Sequence, residues 1–391
     1  MTNTIILIIC ALILIAYIFD ISAKNTKIPG VILLLSVGII SQIITTYLGL
    51  KIPNLEPYLP VVGTIGLILI VLEGSLELEI TAQKRTLFVS TVKSAFIGLA
   101  LFSLMLATGL YFLIHKPFLT CLINAIPLGI ISSAIAIPSV KNLDAESREF
   151  VIYESSISDI LGIIYFNFLV LHNTFGVATF TSFFFDIVII VALSIIASLA
   201  LGSMISKLNH HIKYIPIITI LILFYVIAKI YHLPSLVLVL MFGLFLNNVN
   251  LIKFDFMKKW INSDTIKKEV HSFEHLIAEV TFVIRSFFFI MFGYYTNLKA
   301  VLSARDFVNA LVILVFIFGG RYLIFRLLKV KSDPLLFIAP RGLITILLFL
   351  AIPDSHQILE VNKGLLTQVI FLTALAMMFG MIKTRNLSTN Q

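Results

Sequence analysis

Pro127-Leu128-Gly129-Ile130-Ile131-Ser132-Ser133-Ala134-Ile135-Ala136-Ile137-Pro138 lies inside an apolar run, 118–140, that is long enough to cross a membrane. Two prolines and a glycine within it interrupt the helix that such a run otherwise forms, because proline removes a backbone donor and clashes with the preceding turn. Backbone freed at bilayer depth is tolerated only where it is buried in protein or lines a cavity. Ala339-Pro340-Arg341-Gly342 repeats the device in a second run, 334–352. Interrupted helices at matching places in two halves of a chain mark the binding site of a transporter built from repeats.

The rest of the chain agrees with lipid as its solvent. Of 391 residues, 59% are hydrophobic and 12% charged, and the mean hydropathy is +1.07. No soluble fold covers its surface with so few polar groups. The runs that reach about 20 apolar residues, the length that crosses a bilayer, are 4–21, 29–49, 60–77, 88–115, 118–140, 150–171, 177–205, 213–230, 232–250, 276–297, 306–328, 334–352 and 364–382. These predict an all-α polytopic membrane protein of about thirteen transmembrane helices, a single domain over 1–391. The first run has neither a basic leader nor a small-residue cleavage site, so it reads as a retained helix. The longest loop, Lys253 to His275, carries Lys258, Lys259, Trp260, Lys267 and Lys268 among apolar residues, the pattern of a helix lying in the interface and anchoring the topology. Cys10 and Cys121 lie far apart in apolar runs and imply neither a disulfide nor a metal pair.

The basic residues give the orientation. Eighteen of the 28 Lys and Arg fall in loops after odd-numbered helices or at the C-terminus, and five in the other loops. Positive charge collects on the cytoplasmic side. The expectation is a multi-pass protein of the cell membrane, N-terminus outside and C-terminus inside. The net charge of +8 then counts loop anchors rather than pointing to nucleic acid or another acidic partner. The remaining five basic residues, Lys93, Lys229, Arg285, Arg321 and Arg341, lie within helices.

A central linking helix divides the thirteen into inverted repeats of about 4–171 and 213–382, with helices 5 and 12 broken and crossing. Helix 6 carries the chemistry in Glu154-Ser155-Ser156-Ile157-Ser158-Asp159. Ionisable groups at that depth are costly and mark ion paths or proton relays. Ser155 and Asp159 are four apart and share a face, so a hydroxyl and a carboxylate point toward one small cation. Glu154 stands about 140° round the helix from Asp159 and needs its own cation: Arg321 is the first choice and Arg285 the second. Asp159 is left to hold a proton or a metal ion, one excluding the other.

These features resemble the cation/proton antiporter superfamily, in particular its sodium/proton exchanger branch, over nearly the whole chain. Ile28-Pro29-Gly30 looks like the start of the family's second helix and Leu72-Glu73-Gly74-Ser75-Leu76 its glutamate-glycine motif. Phe242-Gly243-Leu244-Phe245-Leu246-Asn247-Asn248 is similar to the end of its ninth helix, and Arg285-Ser286-Phe287-Phe288-Phe289 with Gly293 to its tenth. Arg341-Gly342 resembles the arginine-glycine of the second broken helix. Glu154-Ser155 followed by Asp159 resembles Glu-Ser-x-x-Asn-Asp, the most specific of these matches. The resemblance implies that Asp159 binds cation and proton, that Ser155 helps to coordinate the cation, that Glu154 and Arg321 form a structural ion pair, and that the protein is a homodimer with a dimer domain and a moving core.

Two positions depart from that pattern. Ser158 stands where the family has asparagine, a further candidate ligand that adds no second acid. Ala136-Ile137-Pro138 replaces Thr-Asp-Pro, which removes a hydroxyl and a carboxylate; Ser132, Ser133 and Ser139 are the available substitutes. The expected function is monovalent cation/proton antiport, Na+ before K+ or Li+, by alternating access across the lipid bilayer. The alternative is a cation channel or a transport-inactive sensor relative. His210-His211 reads as a solvated loop pair, Lys93 as a snorkelling interface residue and Glu73 as a helix-end or packing feature. No enzyme motif is present: phosphate-binding glycine loop, nucleophile elbow and zinc-ligand spacing all go unmatched, and no cofactor is implied.

Overall fold

A computed structural model describes residues 2–26, 28–49, 54–78, 85–140, 143–171, 177–207, 213–231, 233–249, 263–330 and 333–388. Among them the regular structure is helical: α1 Thr2–Thr26, α2 Gly30–Tyr47, α3 Leu59–Glu77, α4 Arg85–Ile114, α5 Phe118–Gly129, α6 Ser133–Ser139, α7 Ala145–Leu171, α8 Val177–Lys207, α9 Tyr214–Ile230 and α10 Ser235–Asn247. The order continues with α11 Ser263–Tyr294, α12 Leu298–Val301, α13 Ala304–Leu328, α14 Leu343–Leu350 and α15 Lys363–Ser388. Each of the thirteen apolar runs holds a helix. Nine spans among the described residues are long and apolar enough to cross a membrane, and Cys10–Ser22, Tyr214–Ile230 and Ser235–Asn247 are shorter apolar helices. The chain is an all-α polytopic membrane protein.

Proline punctuates the helix starts. Pro29, Pro117 and Pro234 occupy the cap positions of α2, α5 and α10, where a missing N–H costs nothing because the first helical donors have no intrahelical acceptor. One predicted boundary moves. Helix 10 was expected from 276, after an interfacial segment, yet α11 already begins at Ser263. No proline or glycine occurs between 263 and 292, so the charged turns continue into the apolar ones as one helix. Lys258, Lys259 and Trp260 of the expected interfacial helix lie outside the described residues, as do His210 and His211.

The chain divides into two compact units. Ile65–Thr86 with Ile163–Phe282 forms one, and Met1–Thr64, Leu87–Gly162 and Val283–Gln391 form the other. In the smaller unit α8 packs on α10 and α9. A Cβ on Gly243 of α10 would stand 1.8 Å from Ser75 Oγ and 3.3 Å from Leu72 O, so the glutamate-glycine motif and the glycine of the ninth predicted helix are one close contact. Asn248 Nδ2 closes that end by donating to Leu78 O at 2.9 Å. In the larger unit, Cβ atoms on Gly38 and Gly293 would meet the Ile290 and Leu35 carbonyl oxygens at 2.2 and 2.4 Å, which lets the backbones of α2 and α11 touch.

The two broken segments meet inside the larger unit. α5 ends at Gly129; Ile130 and Ser132 are extended, with φ, ψ of −79°, 130° and −78°, 116°, before α6 begins. The second break runs from a 3-10 turn at Leu335–Phe337 through Gly342, where α14 starts. Ser132 N–H donates to Pro340 O at 2.9 Å, so the interruptions cross and share a hydrogen bond. A Cβ on Gly342 would lie 2.5 Å from Ser132 Oγ, and only glycine allows the approach.

Candidate functional site

α7 presents its polar run to this crossing. Its first turn is capped by Asp144, whose carboxylate accepts from Ser147 N–H at 3.0 Å, the arrangement that satisfies an orphan helix donor. Four turns are then available to carry Glu154, Ser155, Ser158 and Asp159, all buried.

The three amides of the first break are each satisfied differently. Ile131 N–H donates to Ser158 Oγ at 3.0 Å, Ser132 N–H to Pro340 O, and Ser133 N–H to Asp159 Oδ2 at 3.0 Å. Buried amides must find such partners or cost a lost hydrogen bond. The candidate ligands therefore also hold the interruption open. Asp159 Oδ2 accepts a second bond, 2.5 Å, from the Ser133 hydroxyl. Asp159 Oδ1 has no hydrogen-bond partner among the described residues, although it is buried.

Glu154 faces away from Asp159, toward Arg321. Its Oε1 accepts from Arg321 Nη1 at 3.0 Å and its Oε2 from Nη2 at 2.6 Å, a bidentate pair. Ser94 Oγ adds a 2.5 Å bond to Oε1. Arg321 Nε and Nη2 also donate to Leu335 O at 3.1 and 3.0 Å, and the guanidinium sits 4.5 Å from the Phe325 ring centroid. The pair thus ties α7, α4 and α13 to the turn that leads into the second break.

Arg341 reads carbonyls rather than a carboxylate. Nε donates to Leu128 O at 2.6 Å and Nη1 to Ala339 O at 2.8 Å, while its own N–H bonds Thr373 Oγ1 at 3.1 Å. A buried guanidinium is thereby spread over acceptors exposed where both helices are broken. Between these groups lies a cavity of about 30 Å³ bordered by Ser94, Gly98, Phe102, Ser158, Arg321 and Arg341, room for one or two waters.

The other expected residues fall as follows. Ser155 Oγ donates to Val151 O at 2.7 Å, within its own helix. Of the three candidate substitutes for the missing threonine and aspartate, Ser133 meets Asp159; Ser139 Oγ donates to Ile135 O at 2.7 Å, and Ser132 Oγ has no partner among the described residues. Arg285, the second choice for Glu154, instead reaches Ala134 O with Nη1 at 3.4 Å. Lys93 is exposed. Sequence reasoning passed over Ser94, whose signal was its place with Thr91, Gly98 and Phe102 on one face of α4. It also read zinc-ligand spacing as unmatched, whereas His271-Ser272-Phe273-Glu274-His275 in α11 sets two imidazoles four apart, a spacing that zinc sites use.

Broken, crossing helices around a buried carboxylate define a secondary-transporter class, and the sequence agrees: the chain belongs to the sodium/hydrogen exchanger family, whose transmembrane-domain model matches residues 10–384. That is a family of transporters. Among solved structures the chain is similar to the sodium proton antiporter MjNhaP1 from Methanocaldococcus jannaschii at pH 8, with a TM-score of 0.72 and 18% identity over 97% of this chain and 99% of that one. An electron-microscopy map of the same antiporter gives 0.68 and 16%, covering 100% and 97%. At such identities the likeness is one of fold. No curated protein matches the sequence.

Proposed function

We propose that the protein exchanges a monovalent cation, Na+ before K+ or Li+, for protons by alternating access, with Asp159 as the shared carrier. The observation that carries this reading is the uneven state of one buried carboxylate: Oδ2 is engaged twice by Ser133 while Oδ1 has no partner among the described residues. A buried carboxylate oxygen left without a partner is costly. Either a proton or a small cation relieves it, and the two compete for the same lone pairs, which is sufficient for exchange.

The remaining residues have supporting roles in this scheme. Ser133 orients the carboxylate. Ser155 and Ser158 supply neutral oxygens, the first keeping a lone pair while its proton is used on Val151 O. Glu154 and Arg321 neutralise each other and hold the frame, and Arg341 fixes the crossing. The halves about 4–171 and 213–382 act as inverted repeats, the N-terminus is outside, and two copies form a homodimer. The antiport named for MjNhaP1 supports the same direction of reading for this chain.

Ala136 and Ile137, apolar where the family has Thr-Asp, favour a second reading: a channel or a transport-inactive sensor. One assay separates the two. Reconstituted protein in vesicles with an imposed pH gradient and an internal pH dye is given Na+, K+ and Li+ in turn. Proton flux that depends on the added cation supports exchange; cation flux without proton movement, or no flux, supports the second reading.

A further inference from the structure

The first turns of α11 carry a second cluster of titratable groups, unconnected with Asp159. His271 and His275 are four residues apart, one turn, and so stand on one face. Their ring centroids are 4.6 Å apart with an interplanar angle of 74°. Both side chains are exposed, whereas Phe273 and Ile277 of the same turns are fully buried. The core therefore uses the opposite side of the helix. Among the described residues neither imidazole has a hydrogen bond or ion pair, unlike nearby Glu269, which is held by Lys213 Nζ at 2.5 Å and Tyr214 OH at 2.6 Å. Glu274 and Glu279 fall in the same sector as the two rings, within about 140° at roughly 100° per residue.

Two imidazoles that share a tetrahedral ion at nitrogen–metal distances of about 2.0–2.1 Å have ring centroids about 5 Å apart. The observed separation is near that value, and small rotations about the side-chain bonds reach it. Imidazole nitrogen is a ligand for zinc, copper and nickel ions, not for Na+ or K+.

We propose that His271 and His275 chelate a divalent transition-metal ion of the zinc class, with water completing its shell. The site is distinct from the exchange site and stands whether or not the chain exchanges cations. Metal here adds charge to the helix that, ten residues later, places Arg285 against Ala134 O beside the first break.

The test uses the full chain purified without a polyhistidine tag and titrated with Zn2+ against a fluorescent zinc chelator. The expected result is one saturable site per chain, held by the two imidazole nitrogens. His271→Gln or His275→Gln alone weakens it at least about tenfold, since one of two chelating bonds is gone, and the double variant removes it. His210→Gln with His211→Gln leaves it intact. Co2+ absorption, measured on the same variants, gives a second readout that does not depend on the chelator. Absence of a site in the wild type, an unchanged site in the His271→Gln, His275→Gln protein, or loss in the His210, His211 variant overturns the proposal.

Discussion

Ser133 and Asp159 are joined twice through a single oxygen: the Ser133 amide and hydroxyl both donate to Oδ2, at 3.0 and 2.5 Å. One bond belongs to the backbone at the start of α6 and survives any substitution except proline. The other belongs to the side chain. Ser133→Ala is therefore a partial cut. It is expected to leave the protein folded and to weaken apparent cation affinity about tenfold, the equivalent of one hydrogen bond to a charged group. The measurement is the cation concentration giving half-maximal proton flux in proteoliposomes; an unchanged value removes Ser133 from the site.

Ser155→Ala tests a different part of the same arrangement. The Ser155 proton is spent on Val151 O, so only a lone pair of the oxygen is available to a cation. The expected outcome is a smaller loss of apparent affinity than in Ser133→Ala, with maximal flux retained. Equal or greater loss would place Ser155 closer to the bound ion than Ser133.

Asp159→Asn keeps the volume and an acceptor for the Ser133 amide, so the break at 130–132 and the detergent-extracted protein should persist. The amide neither releases a proton nor neutralises a cation. Cation-dependent proton flux is expected to vanish while expression and melting temperature stay near wild type. Wild-type flux in the folded variant would move the carrier to another group.

The second break was legible because proline acts locally and Pro340 lies within it; the first falls at 130–132, between Pro127 and Pro138, which sit inside α5 and α6 instead of breaking them. The partner of Glu154 was also within reach, since few basic residues lie inside helices and each is expensive to bury. What the hydroxyls do was not legible. Ser132, Ser133 and Ser139 are equivalent in composition, and only the register between the break and α7 brings Ser133 to Asp159. Arg341 is a similar case, because its acceptors, Leu128 O and Ala339 O, are backbone atoms that carry no sequence signature. The start of α11 was misplaced for a simpler reason: its first turns bury Val270 and Phe273 on one face but carry charges on the other, so the continuous apolar run that identifies a span begins only near 276.

Gly342→Ala addresses the crossing itself. The new methyl would stand 2.5 Å from Ser132 Oγ and 2.9 Å from both Ser132 Cβ and Ile135 Cδ1. The Ser132 hydroxyl can rotate away, but its Cβ moves only with the backbone that donates to Pro340 O. Overpacking of this kind costs about 1–3 kcal/mol, and a lower melting temperature with reduced flux is expected. Ser132→Gly in the same chain removes two of the three clashes and should recover much of both losses. If it recovers neither, the contact between Ser132 and Gly342 is not what constrains the crossing.

Glu154 and Arg321 offer the clearest energetic test, because both are buried and their bond is bidentate. Removing one partner leaves the other charged and unpaired, so Glu154→Gln or Arg321→Met alone is expected to destabilise by about 3–5 kcal/mol. Removing both leaves no orphan charge. The double variant should be more stable than either single one, and the cycle should give a coupling energy well above the roughly 0.5 kcal/mol seen between independent sites. Thermal unfolding in detergent measures all four proteins. Arg321 also donates twice to Leu335 O, so the double variant still loses the strap on the second break. Its flux is expected to remain below wild type even where its stability returns. Additive losses across the cycle would mean that the pair does not hold the frame, and full recovery of flux would mean that the Leu335 contact does not matter.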